Sequence, residues 1–268
     1  MFKIATSTDV IRHLPFEEAL QLIRDTGFEG VEIWMGHVNQ SGLSAREIKK
    51  LMSRHRFDYQ VHADVRDVNL TSINPGIRKE SIRQTKETLE FCRDIGAELL
   101  ILHPGRMSSS KDKPEDLWPV QIETFKEIAD HAEKTGVKIG IENMEKRPKE
   151  FINTAAEMCR LIKAVDHPLI GMTLDLAHCH SVGDVEEYIR KIDVPVFNVH
   201  ISQADHEKMH LPFNSSSRDL INFEEVMHVL SSIYSGMIVN ESYDGKDPEA
   251  VLKEAFHAMK HLNSEIIK

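Results

Sequence analysis

The chain has 268 residues, 41% hydrophobic and 28% charged, which is the composition of an ordinary globular protein and the length of one large α/β domain. No apolar run approaches the roughly 20 residues of a membrane span, the opening MFKIATSTDV lacks the basic and long apolar regions of a secretory signal, and three scattered cysteines (Cys92, Cys159, Cys179) do not make a disulfide framework, so a cytoplasmic protein is expected. A formal net charge of −10 weighs against a nucleic-acid partner, because phosphate binding usually rests on gathered Lys and Arg; homo-oligomerisation stays open.

Short apolar runs alternate with longer segments of helical periodicity, the pattern of a parallel sheet wrapped by helices. The first strand is expected at Phe2–Ser7, followed by a helix from Pro15 to Thr26 that Gly27 stops. Gly30–Met35 is the second strand, and Ser44 with Glu47 three residues on begins the next helix as a capping box. Tyr59–Ala63 precedes a helix at Ile77–Ile95, and Glu98–Leu102 precedes one at Pro119–Thr135. Val137–Ile141 leads to a helix at Thr154–Val165, and the apolar run beginning at Ile170 leads to one at Asp184–Lys191. Val194–Val199 is followed by an irregular segment to Asn222 and a helix at Phe223–Ile233, and Met237–Asn240 by a helix at Pro248–Leu262.

Eight strand and helix pairs predict a single closed (β/α)8 TIM barrel spanning 1–268, since no linker rich in Gly, Ser or Pro divides the chain. Polar stretches at Ser108–Asp116 and Asn214–Arg218 read as mobile loops. An open doubly wound sheet is the lesser alternative, and the first turn has no glycine-rich dinucleotide fingerprint.

A barrel gathers the carboxyl ends of its strands at one mouth. Those ends carry His62 and Asp64 (VHAD), His103 (LHPG), Glu142 (IEN), Asp175 and His178 (DLAH), His200 (NVH) and Glu241 (NES). Any one of them has a plainer reading: Asp175 as a loop cap, His62 or His103 as core histidines, Glu142 or Glu241 as partners for Lys or Arg. Together they place several carboxylates in a barrel mouth, where a cation or protons must offset their desolvation. Carboxylates and imidazoles in that arrangement suit a divalent metal such as Mn, Zn, Co or Mg.

The order of VHAD, LHPG, IEN, DLAH, NVH, MHLP and NES resembles the xylose isomerase-like TIM barrels over nearly the whole chain. That superfamily includes sugar phosphate isomerases and epimerases and the DNA repair enzyme endonuclease IV. The resemblance implies a metal site at Glu142, Asp175, His200 and Glu241. His62, His103, His178 and His210 match positions that hold further metals in the endonucleases, and here serve a second metal or the substrate. Two departures work against the endonuclease: Lys208 stands where its pattern has Asp, and ADVRDVNL lacks the wedge residues; a third is from the epimerases, where FNSSSRDL replaces the glycine-rich stretch that many of them carry after HLP and so changes the substrate contacts expected of this loop.

The expected activity is a metal-dependent isomerase or epimerase of a small sugar, sugar phosphate or polyol ketone, with Glu142 and Glu241 moving the proton from opposite sides of the barrel through a metal-stabilised enediolate. The alternative is an endonuclease IV-like phosphodiesterase acting on abasic DNA. Trp34 is a candidate apolar wall, and Arg66, Arg106, Lys146 and Arg218 are candidate substrate contacts.

Overall fold

A computed structural model describes residues 1–266; Ile267 and Lys268, the end of the expected domain, lie outside them. In chain order the elements are β1 (Lys3–Ser7), α1 (Phe16–Thr26), β2 (Gly30–Trp34), α2 (Met35–Ser41), α3 (Ala45–His55), β3 (Asp58–His62), α4 (Pro75–Ile95), β4 (Leu99–Leu102) and α5 (Pro114–Thr135). There follow β5 (Lys138–Glu142), α6 (Ala155–Val165), β6 (Ile170–Asp175), α7 (Leu176–Val182), α8 (Val185–Arg190), β7 (Val196–Ile201), α9 (Phe223–Ser231), β8 (Met237–Asn240) and α10 (Pro248–Glu265). The eight strands pair in sequence order, all parallel, and β8 closes on β1 through Lys3–Met237 to Thr6–Asn240, so the chain is a closed (β/α)8 barrel.

Local chemistry sets the helix boundaries. The Ser44–Glu47 capping box starts α3 and an equivalent Thr154–Glu157 box starts α6. Gly27, Gly96 and Gly136 close α1, α4 and α5 in the left-handed conformation. The core lies between the strands and the helices, where Val31, Ile33, Val61, Leu100, Ile139, Leu174 and Ile238 are fully buried. Burial of each such side chain contributes about 1.5–3 kcal/mol before chain entropy is counted.

The lumen at the mouth is polar. Glu32 of β2 accepts hydrogen bonds from Gln60 on β3 and Asn198 on β7, and contact between β2 and the non-adjacent β7 requires side chains that reach across the barrel.

Three expectations change. The helix before Thr135 begins at Pro114, five residues before Pro119, so the end of the Ser108–Asp116 stretch is its first turn; Pro114, at the helix start, gives up an N–H that needs no partner there. Two short helices, α2 and α7, follow β2 and β6 directly. The seventh strand begins at Val196 and continues through His200 to Ile201.

Candidate metal centre

Strand ends position the cluster. His62, Glu142 and Asp175 are the last residues of β3, β5 and β6, His200 is next to last in β7, and Glu241 follows β8 with its N–H donated to the Ile201 carbonyl. Asn143 ties β5 to β6: its side-chain oxygen accepts from the Asp175 N–H (2.8 Å) and its amide donates to the Asp175 carbonyl (3.1 Å). His103 comes from the loop after β4. His210 comes from the β7–α9 segment, where Gln203 and Leu211 exchange backbone hydrogen bonds and hold it at φ 57°. A left-handed histidine is strained backbone that its surroundings must impose.

Ligand atoms of Glu142, Asp175, His200 and Glu241 all lie within 4.8 Å of one another. His200 Nδ1 is the hub, 3.1 Å from Glu241 Oε2, 3.3 Å from Glu142 Oε1 and 3.9 Å from Asp175 Oδ2. On one side stand His62 and His103, whose Nε2 atoms are 3.2 and 3.3 Å from Glu142 Oε2. On the other, His178 and His210 group with Asp175. The eight residues of the two sequence-derived sets therefore converge. Although Glu142 and Glu241 stem from well-separated strands, their oxygens meet at the same imidazole rather than facing each other across the barrel.

Backbone carbonyls fix two imidazoles in the tautomer a cation needs. His62 Nδ1 donates to the Ala63 carbonyl (2.7 Å) and His178 Nδ1 to the Asn143 carbonyl (2.8 Å), so that in the neutral ring each Nε2 carries the lone pair. Asp175 divides its oxygens between two tasks. Oδ1 accepts from the His178 N–H (2.7 Å) as the N-cap of α7, while buried Oδ2 has no hydrogen-bond partner among the described residues. An unpartnered buried carboxylate oxygen facing carboxylates and imidazoles fits a bound divalent cation.

The charges agree. Buried Glu32, Glu142 and Asp175 and the largely buried Glu241 form ion pairs, among the described residues, with imidazoles alone. Burial pushes the Glu142 carboxyl up, but His200 and His103 beside it hold it well below the usual carboxylate range. Glu241 is likewise held down, to about 2, by His200 against burial. Burial raises Asp175, and Glu142 and Glu241 add to that. Burial opposes charge on His62 and His178, yet the surrounding carboxylates lift each to about 9. Imidazolium protons supply the counter-charge, the protons that a divalent ion would displace on binding.

A cavity of about 260 Å³ opens beside the centre between the β3 and β4 loops and α4, with Met35, Ala63, Asn69, His103, Arg106 and Glu150 in its wall. Asn69 pins its rim: the side-chain oxygen accepts from the Arg106 N–H (2.9 Å) and the amide donates to the Arg106 carbonyl (2.8 Å). Trp34 is buried, with the Arg66 and Arg12 guanidinium carbons 4.4 and 5.4 Å from its ring centroid, so it is walled by cations. Lys146 and Arg218 are exposed on the loops after β5 and β7, and among the described residues their side chains make no hydrogen bond or ion pair with the cluster. Lys208 is exposed on a turn held by Asp205.

Sequence reasoning missed Glu32, Glu145 and Glu150. Glu32 is fully buried and its Oε2 lies 3.1 Å from His200 Nε2; Glu145 Oε2 lies 3.2 Å from His178 Nε2. The available signal for Glu32 was a lone carboxylate inside the apolar run GVEIWM. Glu145 and Glu150 sit on a polar loop where a carboxylate carries no signal.

The family model described as xylose isomerase-like TIM barrel matches residues 20–262, and the chain belongs to that family. Among relatives, an uncharacterized protein of Methanocaldococcus jannaschii is 28% identical over 79% of this chain and 75% of its own. A probable ketose 3-epimerase of Synechocystis sp. is 24% identical over 87% of this chain and 80% of its own. Among solved structures, a D-tagatose 3-epimerase-like protein superposes with TM-score 0.83 at 24% identity (98% of this chain, 99% of that one). The IOLI protein with a binding zinc atom does so with TM-score 0.80 at 19% identity (99% and 98%). At these identities the structural likeness establishes the fold.

Proposed function

We propose that this protein is a divalent-metal-dependent isomerase or epimerase of a small sugar, sugar phosphate or related polyol ketone. The observation that carries the reading is the convergence of Glu142, Asp175, His200 and Glu241 with, among the described residues, no Lys or Arg partner and no hydrogen bond to Asp175 Oδ2. The epimerase name of the Synechocystis relative supports the substrate class, and the zinc of the IOLI structure supports the metal.

When bound there, a divalent ion polarises a substrate carbonyl and adjacent hydroxyl and so acidifies the carbon between them. Glu142 and Glu241, both held ionised at neutral pH, are the groups to accept that proton and return one; an epimerase uses both, an aldose and ketose interconversion one. His103 touches both Glu142 and the cavity and is placed to hold a substrate hydroxyl. Arg106, at the cavity rim, offers a fork for a phosphate or carboxylate.

Protein stripped of metal and reloaded with Mn, Co, Mg or Zn should convert at least one member of a panel of free and phosphorylated ketoses and inositol ketones. Conversion that survives complete stripping argues against the reading. The triads His62–His103–Glu142 and Asp175–His178–His210 are what a phosphodiesterase acting on abasic DNA would use, and this is the second reading. The acidic charge and the sequence ADVRDVNL weigh against it, and a nicking assay on abasic duplex decides.

A further inference from the structure

Resting on the metal centre proposed above, we infer that Glu32 is a positioning residue for that centre: it fixes the proton of His200 on Nε2, turns Nδ1 toward the metal and adds a negative charge behind the imidazole. A neutral imidazole carries one N–H. His200 Nδ1 faces Glu142, Asp175 and Glu241, whereas Nε2 faces Glu32 Oε2 at 3.1 Å. If Nδ1 supplies the lone pair, the proton is on Nε2 and Glu32 accepts it.

Glu32 is built for this. It is fully buried in the second strand, and the same Oε2 accepts from Gln60 Nε2 at 2.7 Å and Asn198 Nδ2 at 3.2 Å. Two amides, one from β3 and one from β7, thus hold the same oxygen that the imidazole meets. Among the described residues Glu32 has no Lys or Arg partner, so a cation beyond His200 is the charge that offsets it. A carboxylate behind a ligating histidine raises its basicity and fixes its ring, and loss of such partners typically weakens metal binding about 10–100-fold.

Glu32→Gln separates this role from packing. Glutamine keeps a carbonyl oxygen for the three donors and puts its amide at the Oε1 position, which has no hydrogen-bond partner among the described residues. Zinc affinity, measured by competition with a chelating dye, should fall about 10–100-fold while the melting temperature of the metal-free protein holds or rises. Unchanged affinity overturns the inference, as does loss of one zinc equivalent with the rest bound as before, which would make Glu32 a direct ligand. Nitrogen NMR of histidine-labelled, zinc-loaded parent gives a readout that needs no variant: His200 should carry its proton on Nε2, and a proton on Nδ1 overturns the inference. Parent protein that takes up no divalent ion would instead remove the centre itself.

Discussion

Nε2 of His178 lies 3.3 Å from Nε2 of His210. His178 donates its Nδ1–H to the Asn143 carbonyl, so the neutral ring turns a lone pair toward His210 and toward the Glu145 carboxylate, 3.2 Å away, whose charge calls for a proton or a cation there. Without metal that is a proton, shared with Glu145, and the same holds for His62 against Glu142.

Metal-free protein should therefore lose stability in alkali. The folded-state values of His62 and His178, about 9, lie above the ordinary 6.5, so the native state binds more protons between those values. Their contribution is complete below pH 6.5 and disappears as the pH rises through 9. Thermal melts in chelator at pH 6, 7.5 and 9 should show a falling midpoint, whereas metal affinity, which needs deprotonated ligands, should rise over the same range. A flat chelated profile would contradict this.

Asp175 can be separated into its two roles. Asp175→Asn retains an oxygen for the α7 cap and should cost the metal-free protein little while removing most metal affinity. Asp175→Ala should lose the metal and also about 0.5–2 kcal/mol of metal-free stability for the missing cap. Equal metal content in parent and both variants, measured by elemental analysis, would remove Asp175 from the centre.

Gly105 shapes the cavity rim. Its φ is +85°, and a Cβ there would stand 2.6 Å from Thr71 Oγ1 and 2.7 Å from the Thr71 nitrogen. Gly105→Ala should destabilise the protein by more than about 1 kcal/mol in urea titration. A loss below a few tenths would mean that the two loops are not held together as described.

Much of this was legible in the sequence because strand ends are marked. His62, Glu142, Asp175 and Glu241 each terminate an apolar run, and closing the barrel turns four distant sequence positions into neighbours. Glu32 was hidden for the same physical reason: it lies inside its run, flanked by outward-facing Val31 and Ile33, and only closure shows that alternate residues face a polar lumen. The short α7 was hidden because its cap is Asp175, read as a ligand. Helix α2 has no side-chain cap to announce it. The left-handed turn that brings His210 back to His178 follows from the pairing of Gln203 with Leu211, a contact with no periodic signature.

The most direct test of the proposed reaction is deuterium exchange. Metal-loaded protein incubated in D₂O with the panel of ketoses and inositol ketones should place deuterium on one carbon next to the carbonyl of its substrate. Glu142→Gln or Glu241→Gln, compared at measured metal occupancy, should slow that exchange at least about 100-fold, the scale of general base catalysis. Metal-dependent nicking of abasic duplex with no exchange into any member of the panel would contradict the account.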